Sequence, residues 1–187
     1  MMILLHNVTW MGWNIFLALI PPIFGWLVFI NRQKFLRLAC ALIWFIFLPN
    51  TLYLITDLLH MIRQWHQMHY TGQIALALQY LALVLIGLIT FFLALYPVEK
   101  TLVHSSWPKN KSLVPLFIII TNFFIGLGIV LGRVMRINSW DVIVNIPKVI
   151  GASLSIFNSL EFVLFVVFIG LFANVYYFLC RKSLEVS

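Results

Sequence analysis

The chain has 187 residues, of which 63% are hydrophobic and only 9% charged, with a mean hydropathy of +1.04. Soluble domains carry about a quarter charged residues, so the composition excludes a water-soluble globular enzyme. It points to one transmembrane domain over residues 1–187 with no room for a separate catalytic unit. A net charge of +7 does not point to nucleic acid, because the Lys and Arg residues sit in short clusters beside apolar runs and not in an aromatic-interleaved patch.

The first apolar run predicts a span over residues 10–30, anchored at the interface by Trp10 and Trp13 and bent at Pro21-Pro22. It lacks a basic leader and a small-residue cleavage site, so it reads as a retained span. Ahead of it, Asn7-Val8-Thr9 matches a glycosylation acceptor triplet. Residues 31–37 hold Arg32, Lys34 and Arg37, and a second span is predicted over 35–60. A loop over 61–72 follows, then a third span over 73–95 and a loop with Pro97, Glu99, Lys100, Lys109 and Lys111. The fourth span is predicted over 113–131 and the fifth over 158–180. Between these two, the stretch near 142–157 is moderately apolar and broken by Pro147 and Gly151, which predicts an interfacial or re-entrant segment. The expected fold is all-α, a polytopic integral membrane helix bundle of about five transmembrane helices plus that segment.

Counting Lys and Arg by side gives eight (Arg32, Lys34, Arg37, Lys100, Lys109, Lys111, Arg181, Lys182) against four. The positive-inside rule then predicts a multi-pass protein of the cell membrane, with the N-terminus outside and the C-terminus cytoplasmic. Cys40 and Cys180 fall on the cytoplasmic side and are expected to be reduced. Arg133, Arg136 and Lys148, three of the four outer charges, crowd the loop after the fourth span. Such an exception to a topogenic rule indicates another role.

Polar chemistry concentrates in two places. In residues 47–60 (FLPNTLYLITDLLH), Asn50, Tyr53, Asp57 and His60 fall at roughly 0°, 300°, 340° and 280° on a helical wheel, with Thr56 at the margin near 240°. Pro49 kinks this run, and Asn50 is placed to satisfy a freed carbonyl. Residues 132–141 read GRVMRINSWD. One further turn of the fourth helix would align Asn122, Gly126, Arg133 and Arg136 within roughly 80°. Because an unpaired intramembrane aspartate is costly, Asp57 is expected to pair with Arg133 or Arg136, leaving Asp141 or Glu161 for the second arginine. The bland reading is a buried charge network that fixes helix order. The functional reading is a pocket in which guanidinium groups bind phosphate or carboxylate. Gly128 and Gly132 form a GxxxG pair, which more often marks close helix packing than chemistry.

Asp57-x-x-His60 and His66-x-x-His69 have a spacing that can hold a divalent ion, but the arginines beside the first would repel a cation and the second lies in a loop. No metal and no cofactor are expected. No phosphate loop, CxxC pair or supported catalytic triad is found.

With both motifs stated, the chain resembles an uncharacterised bacterial membrane-protein family, domain of unknown function 1361. The resemblance rests on Phe47-Leu48-Pro49-Asn50, Tyr53, Thr56-Asp57 and His60, and on Gly132-Arg133, Arg136 and Asn138-Ser139-Trp140-Asp141. It implies a membrane helix bundle over nearly the whole chain and carries no activity. Two departures are visible: Val130 stands where a tyrosine is common before Leu-Gly-Arg, and residues 70–73 replace an aromatic-aspartate pair. The missing acid weakens a metal-dependent mechanism.

The functional expectation is a polar site at the outer leaflet that binds or processes an anionic lipid headgroup or envelope-precursor group. Arg133, Arg136, Asn138, Asp141, Asn50, Tyr53 and Trp140 would bind the ligand, and Asp57 and His60 are the candidates for proton transfer. The partner is membrane lipid and not nucleic acid, and the sequence leaves oligomeric state open. A small ion- or proton-coupled transporter and a structural or assembly subunit are the alternatives. Orientation is directly checkable: cysteines introduced in the 61–72 and 138–148 segments should label from outside with an impermeant reagent, and labelling only after lysis would reverse the topology.

Overall fold

The computed structural model describes residues 2–105 and 110–186; Lys109, counted above in a basic loop, lies outside the described residues. The chain forms α1 (Met2–Ile30), α2 (Lys34–Phe47), α3 (Pro49–Thr56), α4 (Leu58–Trp65), α5 (Tyr70–His104), α6 (Leu113–Arg133), α7 (Asp141–Val144), α8 (Ile146–Phe157) and α9 (Leu160–Val186). With α2 to α4 taken as one 32-residue run, five helical segments are long and apolar enough to cross a membrane.

Hydropathy placed most helix ends too close to the bilayer. α1 starts at Met2, two turns before the expected Trp10, because Asn7 is fully buried and bonded on both sides of its amide. Its Nδ2 donates to Gln64 Oε1 (2.9 Å) and Gln79 Oε1 (3.2 Å), and its Oδ1 accepts from Trp10 Nε1 (3.1 Å). That burial rules out Asn7 as a glycosylation site in the folded chain. The expected 61–72 loop shrinks because α4 continues to Trp65 and α5 begins at Tyr70. The loop expected around Pro97 and Glu99 is helix instead, since α5 runs 35 residues to His104.

The reason for that extension is a buried carboxylate. Glu99, 3% exposed, accepts a hydrogen bond from the Tyr177 hydroxyl (2.5 Å) and an ion pair from Arg181 Nη1 (2.8 Å). It thereby ties the end of α5 to α9, at the opposite end of the bundle from the sites described below.

The second span is segmented. Pro49 opens α3, where its missing N–H leaves no bond unmade. The carbonyls at the break are taken up by side chains: Asn50 Nδ2 donates to Phe47 O (2.9 Å) and Thr51 Oγ1 to Leu48 O (2.8 Å). A second break falls at Asp57, where Thr56 Oγ1 donates to Tyr53 O (2.6 Å) and competes with the helical ladder.

α5 packs against α1 and α3, α6 packs against α9, and α3 also packs on α6. α3 therefore joins the two halves. Small residues set the spacing: a Cβ on Gly126 would lie 2.5 Å from Val166 O of α9, and one on Gly128 would overlap the Pro49 ring. Gly126 thus serves close packing of α9 on α6, and the pair Gly128 and Gly132, the latter with a Cβ that would lie 3.4 Å from the Tyr53 ring, serves that of α3 on α6. Asn122 turns away from Arg133 and donates from Nδ2 to Asn174 Oδ1 of α9 (2.9 Å), correcting its expected place on the polar face. Gly128→Ala should push α3 from α6 and lower stability by about 1–3 kcal/mol. Gly12→Ala, which meets nothing within 4 Å, should leave the melting temperature in detergent unchanged or slightly raised.

Candidate functional site

The last residue of α6 reaches the second break of the adjacent span. Arg133 Nη2 lies 2.6 Å from Asp57 Oδ1, and Asp57 is 1% exposed. Three further contacts engage the guanidinium. Nε and Nη2 donate to Thr56 Oγ1 at 3.2 and 2.8 Å, and Nη1 faces His60 Nε2 at 3.3 Å. Its plane sits over the Tyr53 ring, 4.6 Å from the centroid. Tyr53, Asp57 and His60 thus converge as the wheel predicted, and Thr56, set at the margin, supplies two of the contacts.

The other Asp57 oxygen is satisfied from α1, where Asn14 Nδ2 donates to Oδ2 at 3.0 Å. Sequence reasoning passed over Asn14. A signal was present, since Asn7, Trp10 and Asn14 fall at i, i+3 and i+7 on one face of an otherwise apolar helix. Trp10 in turn packs on His60, with ring centroids 5.4 Å apart.

Beside this pair is a cleft of about 220 Å3 whose polar lining includes Asn14, Asn50, Tyr53, Asn138, Ser139 and Trp140. Asn50 Nδ2 donates to Ser139 Oγ at 2.9 Å, which draws the loop after α6 onto the break before α3. The two sequence motifs form one wall.

The second arginine meets neither of the acids expected for it. Arg136 does not reach Asp57; it is exposed, has φ = 54°, and makes no hydrogen bond or ion pair among the described residues. Its left-handed turn lets Ile137 N donate to Leu131 O (3.0 Å) and closes α6. Asp141 pairs with neither arginine but accepts from Asn138 N (2.9 Å) and Lys148 Nζ (3.2 Å), because the 134–148 segment folds on itself. Glu161 is exposed at the start of α9 and has no partner among the described residues.

The metal-spaced residues are also separated. His66 and His69 are exposed in the turn after α4, while Asp57 and His60 share a guanidinium where a cation would sit. Among the described residues no group of three or more His, Cys, Asp or Glu side chains is placed to hold a metal ion.

The arrangement can hold shape and offer hydrogen bonds. Arg133, with its donors turned inward, braces the cleft, and the amides and hydroxyls of Asn50, Asn138 and Ser139 face a ligand-sized space. Asp57→Asn should leave Arg133 uncompensated and cost about 3–5 kcal/mol, read as a lower melting temperature in detergent; Glu161→Gln should not move it. The Asn138 N–H, and after it Lys148, holds the Asp141 carboxyl below its ordinary value of 3.8. The loop therefore gains stability that is present above pH 3.8 and lost as pH falls through the lowered value. In a variant whose one tryptophan is Trp140, emission should be constant from pH 7 to 5 and change only below the ordinary carboxylate range, whereas Asp141→Asn should show the changed emission already at neutral pH.

No curated protein matches this chain. No solved structure matches it either. The model of the family described as protein of unknown function (DUF1361) matches residues 13–176, from the start of the cleft lining in α1 to the last turns of α9, and the chain belongs to that family.

Proposed function

We propose that the cleft binds the anionic headgroup of a membrane lipid or lipid-linked precursor, at the outer leaflet of the cell membrane if the positive-inside rule sets the orientation. The observation that carries this reading is Arg136. A left-handed conformation costs an L-residue roughly 1–2 kcal/mol, and such strain concentrates where a side chain has work to do. Here it presents an exposed guanidinium, without a partner among the described residues, one position before the segment that lines the cleft. Guanidinium forks suit phosphate and carboxylate. Asn50, Tyr53, Asn138, Ser139 and Trp140 would orient the headgroup, with Asp141 holding the loop. Asp57 and Arg133 form the brace, and His60, at the edge of that brace, is the residue through which a proton could move.

A second reading, an ion- or proton-coupled transporter, draws on Asn122, whose Oδ1 is buried between α6 and α9 without a hydrogen-bond partner among the described residues. That reading predicts that Asn122→Leu abolishes flux in proteoliposomes.

The headgroup reading is tested in nanodiscs containing equal phosphatidylcholine and phosphatidylglycerol, released into a native mass spectrometer. The wild-type protein should retain phosphatidylglycerol about tenfold over phosphatidylcholine, and Arg136→Gln should erase the preference without lowering the melting temperature. Equal retention of both lipids by the wild-type protein would overturn the proposal.

A further inference from the structure

Beyond the Pro49 ring, the cleft continues into a second hollow of about 190 Å3, walled by α2 and α3 on one side, α8 on the other and α6 beneath. Ile46, Pro49, Gly128, Leu131 and Val142 belong to both hollows. They are therefore two halves of one depression, one polar and one made of hydrocarbon. Apart from Thr121 and Ser153 the second half is lined by apolar residues, and Ser153 Oγ is turned back to Val149 O at 2.8 Å. At its far end Phe45 of α2 and Phe124 of α6 meet edge to face with centroids 5.7 Å apart. Both rings are 41% and 50% exposed, respectively, so the groove opens sideways onto the apolar outer surface of the bundle.

Resting on the headgroup reading above, we infer that the ligand is an amphiphile whose headgroup lies against Asn50, Asn138 and Ser139 while a hydrocarbon chain runs past Pro49 and Gly128 into the groove between α2–α3 and α8. Three features support this occupant over a protein segment. The groove is continuous with the lipid-facing surface at one end and with the polar cleft at the other. The exposed Arg136 directly precedes Ile137, which lines the polar half, matching the charge order of an anionic lipid. A volume above the roughly 150 Å3 at which an apolar cavity takes up benzene suits a stretch of alkyl or isoprenyl chain. Gly128 acts as the joint: with no Cβ it lets the Pro49 ring lie against α6, and the chain passes over a low sill and not a side chain.

The test uses phosphatidylglycerol carrying a diazirine midway along one acyl chain, in phosphatidylcholine nanodiscs holding the full-length protein. Irradiation should label Phe45, Phe124, Leu127 and Val149 at least fivefold more than Leu85 and Ile89, which are exposed on α5. The same photoprobe on phosphatidylcholine should show no such preference. Val149→Trp, which fills only the apolar half, should lower phosphatidylglycerol retention about tenfold; Ser153→Phe serves if that variant fails to fold. Labelling of the groove no stronger than that of α5 would overturn the chain assignment. If retention still depends on Arg136, the headgroup reading survives that result. If neither Val149→Trp nor Arg136→Gln lowers retention, both fall together.

Discussion

An arginine at the end of an apolar helix must be neutralised, and Arg133 is neutralised by Asp57 under an envelope of Tyr53, Thr56 and His60. Taking a charge out of water costs several kcal/mol, and only close opposite charge with every donor satisfied offsets it. That requirement fixes much else. The end of α6 has to sit at the break between α3 and α4, Asn14 has to face the same break from α1, and the loop after Arg133 has to start from one defined point. Ser139 can meet Asn50 because Arg133 has already brought the two segments together.

A second carboxylate performs the same task at the other end of the bundle. Glu99 on α5 holds Tyr177 and Arg181 on α9, so α6 and α9 are joined to the α1–α5 half by one clamp at each end. In a membrane, helix association gains little from the hydrophobic effect, because lipid tails are as apolar as leucine. Two charge-assisted clamps and the close approaches at Gly126 and Gly128 give the bundle a definite order that apolar contact alone would not.

The breaks in the second span turn this order into a site. A continuous helix from Lys34 to Trp65 would spend its backbone groups internally and offer a smooth face. The breaks at Leu48 and Asp57 call Asn50, Thr51 and Thr56 to the carbonyls and place Pro49 against Gly128. What results is one depression with a polar half and an apolar half, a shape that matches a molecule of the same two-part character.

The sequence alone determined the class of the protein and the pairing of its motifs. Five apolar runs of spanning length could satisfy their backbone in lipid only as helices, and an aspartate and an arginine in such runs had to find each other, so Asp57 and the 133–136 stretch were legible together. Helical periodicity also put Tyr53 and His60 on the face that meets Arg133. Three things were decided by tertiary structure. Hydropathy measures transfer to lipid, not burial by protein, so it ended the first and third spans short of Asn7 and Glu99, polar residues that are helical because partners on other helices satisfy them. Which arginine takes Asp57 depended on where α6 stops: Arg133 is its last residue, and the left-handed turn at Arg136 sends that side chain outward. Asn14, Asn122 and Asp141 found their partners through chain crossings and a loop folding on itself, and a periodicity read along one helix contains no information about the helix beside it.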